Sequence, residues 1–210
     1  MDNIDVDYAR EKGINIINTP AAASASVAEL VFAHLFSMTR FLFDSNRKMP
    51  MVGDTDFKGL KKLYAKGQEL AGQTLGIIGF GRIGQEVAKR AIGLGMNVMA
   101  HDKFIEEASI TLNFFNGDKK SFTIETESLK TVLSNSDFVT LHIPKTGNKA
   151  VIGAKEIGMM KTGAGIVNAS RGGVIDETAL MFSLDKEKLA YAGLDVFENE
   201  PTPSIHLLMH

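Results

Sequence analysis

From Thr74 onward, short apolar runs alternate with stretches whose apolar residues recur at helical spacing. Leu75-Gly76-Ile77-Ile78 is the first run, and a helical stretch from Arg82 to Ile92 follows it. Asn97 to Ala100, Asp137 to His142, Gly165 to Asn168 and Ala190 to Leu194 are further runs of the same kind. Runs this short, bounded by glycine and separated by helices, predict buried parallel strands covered on both faces, an α/β doubly wound sheet. One interval breaks the rhythm. Ile110 to Phe115 and Ser121 to Ile124 are both β-prone, and Asn116-Gly117 lies between them, which predicts an inserted β-hairpin.

Upstream of Thr74 the pattern is different. Asn3 to Arg10 has a helical pattern, and Gly13 to Asn18 predicts a short strand closed by Thr19-Pro20. Ser24 or Ser26 can cap a long helix to about Arg47, with Glu29 completing a capping box on Ser26. Its apolar positions, among them Val27, Leu30, Val31, Leu35, Phe36 and Phe41, cover more than one stripe and predict packing on two sides. Residues 50–72 read as a polar connection bearing Gly and Lys.

The chain has 210 residues and is 44% hydrophobic, enough for one substantial core. A formal net charge of -2 without a basic stripe argues against a nucleic-acid partner. With no cysteine there is no disulfide and no thiolate metal site, which agrees with a reducing, cytoplasmic setting. The five histidines lack metal-ligand spacing, so no metal is expected. No apolar stretch approaches about 20 residues, so no membrane span is expected.

The chemistry begins at Gly79-Phe80-Gly81-Arg82-Ile83-Gly84. The glycines follow a predicted strand and open a predicted helix, the context in which this spacing binds a dinucleotide. Gly79 permits the tight turn, Gly81 leaves room for a pyrophosphate, and Gly84 lets helix and sheet approach closely. The helix N-terminus offers N–H groups and partial positive charge to the phosphates. Asp102 ends the second strand about 20 residues later, placed to accept from both ribose hydroxyls and to repel a 2′-phosphate. The expected cofactor is NAD, and the fold becomes a Rossmann-type sheet.

Asn168-Ala169-Ser170-Arg171-Gly172-Gly173 follows another strand and puts Arg171 at its C-terminal end, where open α/β sheets bind ligands. A guanidinium there can clamp a carboxylate through two parallel bonds. The segment after the last strand carries Asp195, Glu198 and Glu200, and spacing alone leaves open which of them faces the cleft.

These stretches together resemble the D-isomer-specific 2-hydroxyacid dehydrogenase family. The resemblance is carried by Asp2 to Asp5, Asn18-Thr19-Pro20, Ser26 to Glu29, Gly79 to Gly84, Leu141-His142-Ile143-Pro144, Asn168 to Gly173 and Asp195 to Pro201. Similarity around Tyr64 to Leu70 points to its phosphoglycerate-oxidising branch. The resemblance implies hydride transfer between NAD and a small 2-hydroxy or 2-oxo acid. It implies that Arg171 binds the substrate carboxylate, that Glu200 pairs with a catalytic histidine, and that Asp195 contacts the nicotinamide end. Arg82 and Ile83 would meet the pyrophosphate and Asp102 the adenosine ribose. Ile143 and Pro144 would line the adenosine side, with His142 structural or cofactor-lining, and Ala169 and Ser170 would lie near the nicotinamide ribose.

The family's histidine follows a proline somewhat beyond the Glu-Pro pair. Neither His206 nor His210 fits that pattern, so NAD binding with little turnover is expected of these residues alone. The resemblance further implies that residues 1–23 are the remnant of a flavodoxin-like substrate domain. Residues 24–205 would form the NAD-binding domain and 206–210 the start of a return. The helix 24–47 region would build a homodimer. The rivals are a non-catalytic NADH-sensing module of the same fold, like the C-terminal-binding-protein corepressors, and a domain kept only for dimerisation.

Overall fold

The computed structural model describes residues 4–19, 21–145, 147 and 149–204. The chain forms α1 (Val6–Glu11), α2 (Ser24–Thr39), α3 (Leu42–Tyr64), β1 (Thr74–Ile78), α4 (Arg82–Gly93), β2 (Asn97–His101) and β3 (Glu107–Asn113). Then follow β4 (Lys119–Glu125), α5 (Leu129–Asn135), β5 (Phe138–Leu141), α6 (Ala154–Met159), β6 (Ala164–Asn168), α7 (Glu177–Asp185) and β7 (Leu189–Leu194). Five strands make one parallel sheet in the order β2-β1-β5-β6-β7.

Side chains alternate across this sheet and build two cores. Leu75, Ile77, Phe138 and Val167 face a cluster with Val31, Leu35, Val87 and Ala91 of α2 and α4. Ile78, Val139, Leu141 and Ile166 face the opposite cluster with Leu133, Ile157 and Leu180 of α5, α6 and α7. Burial on both faces explains why the strands read as near-continuous apolar runs.

The inserted hairpin is present and longer than its sequence signal, with β3 and β4 antiparallel from Glu107↔Glu125 to Asn113↔Lys119. Ile110 is fully buried in the α2–α4 core, which anchors the ribbon to the domain.

Four expectations upstream are corrected. Residues 13–18 form no strand; the Gly13 and Ile14 N–H groups bond back to α1, among the described residues no strand pairs with this stretch, and Ile14 and Ile17 are exposed. An unpaired strand leaves its backbone groups to water, so its apolar run has nothing to stabilise it. The expected helix to Arg47 breaks after Thr39, with Phe41 at a left-handed φ of 54° and a 49° bend into α3. The buried Thr39 ends α2: its hydroxyl donates to the Leu35 carbonyl and its own carbonyl accepts from the Gln68 N–H. The capping box at Ser26 is absent, because the helix starts earlier, after Ala23, and Glu29 instead pairs with Arg90 on α4 at 3.0 Å. Residues 50–64 are largely helical rather than a connection; Pro50 sits inside α3, and Asp56, at φ -136° and ψ 43°, kinks α3 into two helical arms.

Candidate functional site

The strand register places the site. Ile78 pairs with His101 and with Leu141, Leu141 with Asn168, and Asn168 with Leu194. All five strands therefore end in one row, and the next residues, Gly79, Asp102, His142, Ala169 and Asp195, share one edge. Backbone bonds lock it: Gly79 N–H to the His101 carbonyl, His142 N–H to Ile78, and Asp195 N–H to Asn168. The crevice lies where strand order reverses between β1 and β5, the position at which such sheets bind ligands.

At the β1 end, Gly79 has φ +93°, and a Cβ there would run into the His142 carbonyl. A Cβ on Gly84 would strike the Gly79 carbonyl, so α4 can seat against the turn only without one. Gly81 differs: a Cβ there would meet no atom of the described residues within 4 Å, so none of them requires the small residue. No side chain caps α4, whose first N–H groups have no intrahelical acceptor. Open space over Gly81 beside an uncapped helix start fits a pyrophosphate.

Asp102 faces the same turn. Its Oδ2 accepts from the Phe80 N–H at 2.7 Å, and its Oδ1 from Phe104 at 2.8 Å and Ile105 at 3.2 Å. Burial pushes its pKa up, but these three N–H bonds and nearby His101 outweigh it, so the carboxyl is held below its ordinary value. A carboxylate has about four acceptor positions, so one remains on Oδ2 for a ribose hydroxyl, where two bonds were expected.

His142 lines the crevice beside Gly79. Its Nε2 lies 3.1 Å from the Thr140 hydroxyl, and its buried Nδ1 has no hydrogen-bond partner among the described residues. Burial pulls its pKa down to about 4, so the ring is neutral at pH 7.

At the β6 and β7 ends, Arg171, Gly172, Phe197, Asn199, Glu200, Pro144 and Lys145 line a cleft of about 490 Å³. The buried Asn168 shapes the Arg171 turn: its amide donates to the Arg171 carbonyl at 2.9 Å, and its Oδ1 accepts from the Ser170 N–H and hydroxyl. Glu200 Oε1 accepts from the Phe197 N–H at 2.8 Å, which turns this carboxylate back over its own loop. Arg171, Pro144 and Glu200 are thus brought together, and Ile143 and Ser170 are their chain neighbours. Asp195 is exposed beyond β7, and His206 and His210 lie outside the described residues. Sequence reasoning assigned nothing to Asn168 or Lys145. Among the described residues no group of acids and histidines is placed to hold a metal ion.

A parallel sheet with an open glycine cradle and an acid just past the second strand defines a dinucleotide-binding domain. Comparison with known proteins is more specific. A family model, "D-isomer specific 2-hydroxyacid dehydrogenase, NAD binding domain", matches residues 32–210. The chain is 42% identical over 202 residues to a hydroxypyruvate reductase of Thermotoga maritima, covering 96% of this chain and 60% of that protein. It is 40% identical over 210 residues to a D-3-phosphoglycerate dehydrogenase of Methanocaldococcus jannaschii, covering 99% of this chain and 37% of that one. Among solved structures, the D-lactate dehydrogenase of Aquifex aeolicus in complex with NAD and lactic acid superposes with a TM-score of 0.70 at 32% identity, over 99% of this chain and 57% of that one. The chain belongs to the D-isomer-specific 2-hydroxyacid dehydrogenases, as their NAD-binding domain. It spans 60% or less of the length of these relatives.

Proposed function

We propose that this chain is the cofactor domain of an enzyme that oxidises D-3-phosphoglycerate, the entry step of serine synthesis. The observation that carries a hydride-transfer reading is the common row of strand ends. It sets the glycine cradle and the Arg171–Glu200 cleft along one edge, so that cofactor and hydroxy acid can meet. When bound, the nicotinamide supplies or accepts the hydride. Gly79, Gly81, Arg82, Ile83 and Gly84 would receive the pyrophosphate, and Asp102 a ribose hydroxyl. His142, Ile143 and Pro144 would line the adenosine side, and Ala169, Ser170 and Asp195 the nicotinamide side. Arg171 would hold the substrate carboxylate and stabilise charge developing on the C2 oxygen. Glu200, with one oxygen tied to the Phe197 N–H, keeps the other for orienting a histidine that exchanges the hydroxyl proton.

The similarity to a phosphoglycerate dehydrogenase supports this substrate, whereas the similarity to a hydroxypyruvate reductase favours glycerate as the second reading. Steady-state rates of the complete enzyme with D-3-phosphoglycerate, D-glycerate and D-lactate separate them. The expected order has phosphoglycerate first, and a higher kcat/KM for glycerate would replace the first reading with the second. Arg171→Ala should lower kcat/KM by about 100-fold, and NADH binding without any hydride transfer would favour a sensing role instead.

The same reading includes a homodimer through the helix 24–47 region, α2 and the start of α3, extended here to the rest of α3. Phe43, Met51 and Phe57 of α3 are exposed, as is Phe36 of α2, and apolar exposure on adjoining helices suits a self-contact. Sedimentation giving twice the 22.8 kDa chain mass would support it, and a monomer at high concentration would remove it.

A further inference from the structure

Two carboxylates clasp the loop that carries Glu200. Glu177 opens α7, and Glu198 lies 21 residues away in the loop after β7. The Glu198 N–H donates to Glu177 Oε1 at 2.6 Å, and the Glu177 N–H donates to Glu198 Oε1 at 3.4 Å. Each side chain thus serves the other's backbone. Asp176 caps α7 through the Ala179 N–H, and Glu198 takes up a further amide that the first helical turn leaves without an acceptor.

The neighbouring contacts continue this clasp to Glu200. Phe197 precedes Glu198, and its N–H holds Glu200 Oε1 at 2.8 Å. On its other side the loop leans on the Arg171 turn, where a Cβ on Gly172 would collide with the Phe197 carbonyl. The loop is therefore fixed between Gly172 and Glu177. The arrangement has an electrostatic cost. Burial, together with the charges of Glu198 and Glu200, raises the Glu177 pKa, although the Glu198 N–H bond opposes the shift. A neutral acceptor would hold the same amide without repelling its neighbours, so the clasp depends on the acceptor oxygen and its reach rather than on the charge.

We propose that Glu177 is a positioning residue, fixing the Phe197–Pro201 loop against α7 so that Glu200 is presented to the cleft. It does so without touching substrate or cofactor. The inference rests on the dehydrogenase reading for the role of Glu200, whereas the clasp itself does not.

The test compares Glu177→Ala, which removes both acceptor oxygens, with Glu177→Gln, which keeps one. Amide hydrogen exchange of the 195–201 segment reads the clasp directly, and turnover of the complete enzyme reads its consequence. In Glu177→Ala the Phe197 and Glu198 amides should exchange about tenfold faster or more, and kcat should fall about tenfold. The KM for the hydroxy acid and the NADH affinity should move less than about twofold, because neither ligand loses a contact. Glu177→Gln should restore both exchange and kcat most of the way. The proposal is overturned by native exchange or native kcat in Glu177→Ala, or by a Gln variant as impaired as Ala. A kcat loss matched by weaker NADH binding would also overturn it. If Ala does not fold, the exchange and kcat of Glu177→Gln and Glu177→Asp decide, since only Gln keeps the reach. A wild-type enzyme that binds NADH but transfers no hydride sinks the dehydrogenase reading and this role with it, while native-like protection at Phe197 and Glu198 would still identify the clasp.

Discussion

Gly81 and Gly84 share one turn of backbone yet exclude side chains for opposite reasons. The Gly84 constraint is internal, since its Cβ would strike the Gly79 carbonyl and sit 3.1 Å from Ile77 Cγ2. Gly84→Val should therefore destabilise the domain by about 2 kcal/mol or more, read from urea midpoints. Gly81 has no such neighbour. Gly81→Val should cost only about 1 kcal/mol as a poorer helix cap, yet weaken NADH by about 100-fold in a fluorescence titration. Equal losses of stability in the two variants would contradict this division. His142 carries a pH prediction. Its folded pKa of about 4 lies below its ordinary 6.5, so the unfolded chain takes up a proton first as pH falls. This site adds no penalty above pH 6.5; the penalty grows between 6.5 and 4 and is complete below 4. Wild type should lose about 2 kcal/mol more than His142→Asn between pH 7 and pH 5, checked by denaturation at both values. The glycine motif was legible from spacing, because its physics is local. The roles of Asn168 and Glu177 were not, because each depends on which backbone amide the fold brings to its side chain.

Elements were legible where their signals did not depend on distant partners. The sheet strands could be read because burial on both faces demands unbroken apolar runs, and the hairpin because Asn116-Gly117 sets its turn. The helical content of α3 was hidden, since Pro50, Gly53 and Gly59 all signal a break, and the chain does break within it, at Asp56. The two arms are held together across that kink: Asp44 pairs with Lys48 at 2.9 Å in the first arm and accepts from the Tyr64 hydroxyl of the second at 3.0 Å, while Leu60 is buried. Residues 13–18 failed in the opposite way, since β-prone residues form no strand without a neighbour to bond. The hairpin gives a test at this scale. Ile110 is fully buried and Phe115 at the turn is fully exposed. Ile110→Ala should destabilise by about 3 kcal/mol and Phe115→Ala by less than about 0.5, by thermal or urea melts. Similar values for both would mean that the ribbon does not pack as described.

At the scale of the molecule, the two cores and the crevice share one sheet, so occupancy of the crevice reports on folding as a whole. NADH at about 100 times its dissociation constant should stabilise the chain by about 2.7 kcal/mol, and Gly81→Val should abolish that gain. An unmoved melting temperature at saturating NADH would exclude binding to the native state. The common row of strand ends has a further consequence, for how such a chain can change length. An insertion within β1, β5 or β6 would turn its side chains to the wrong face and also lift one floor residue out of line with its neighbours, whereas β7 absorbs one extra residue as a bulge opposite Ala164 and Gly165. Gains and losses of sequence should therefore be tolerated in the links between strands and not within the central β1, β5 and β6. The ribbon of β3 and β4 lies in such a link, between β2 and α5, and leaves the floor level.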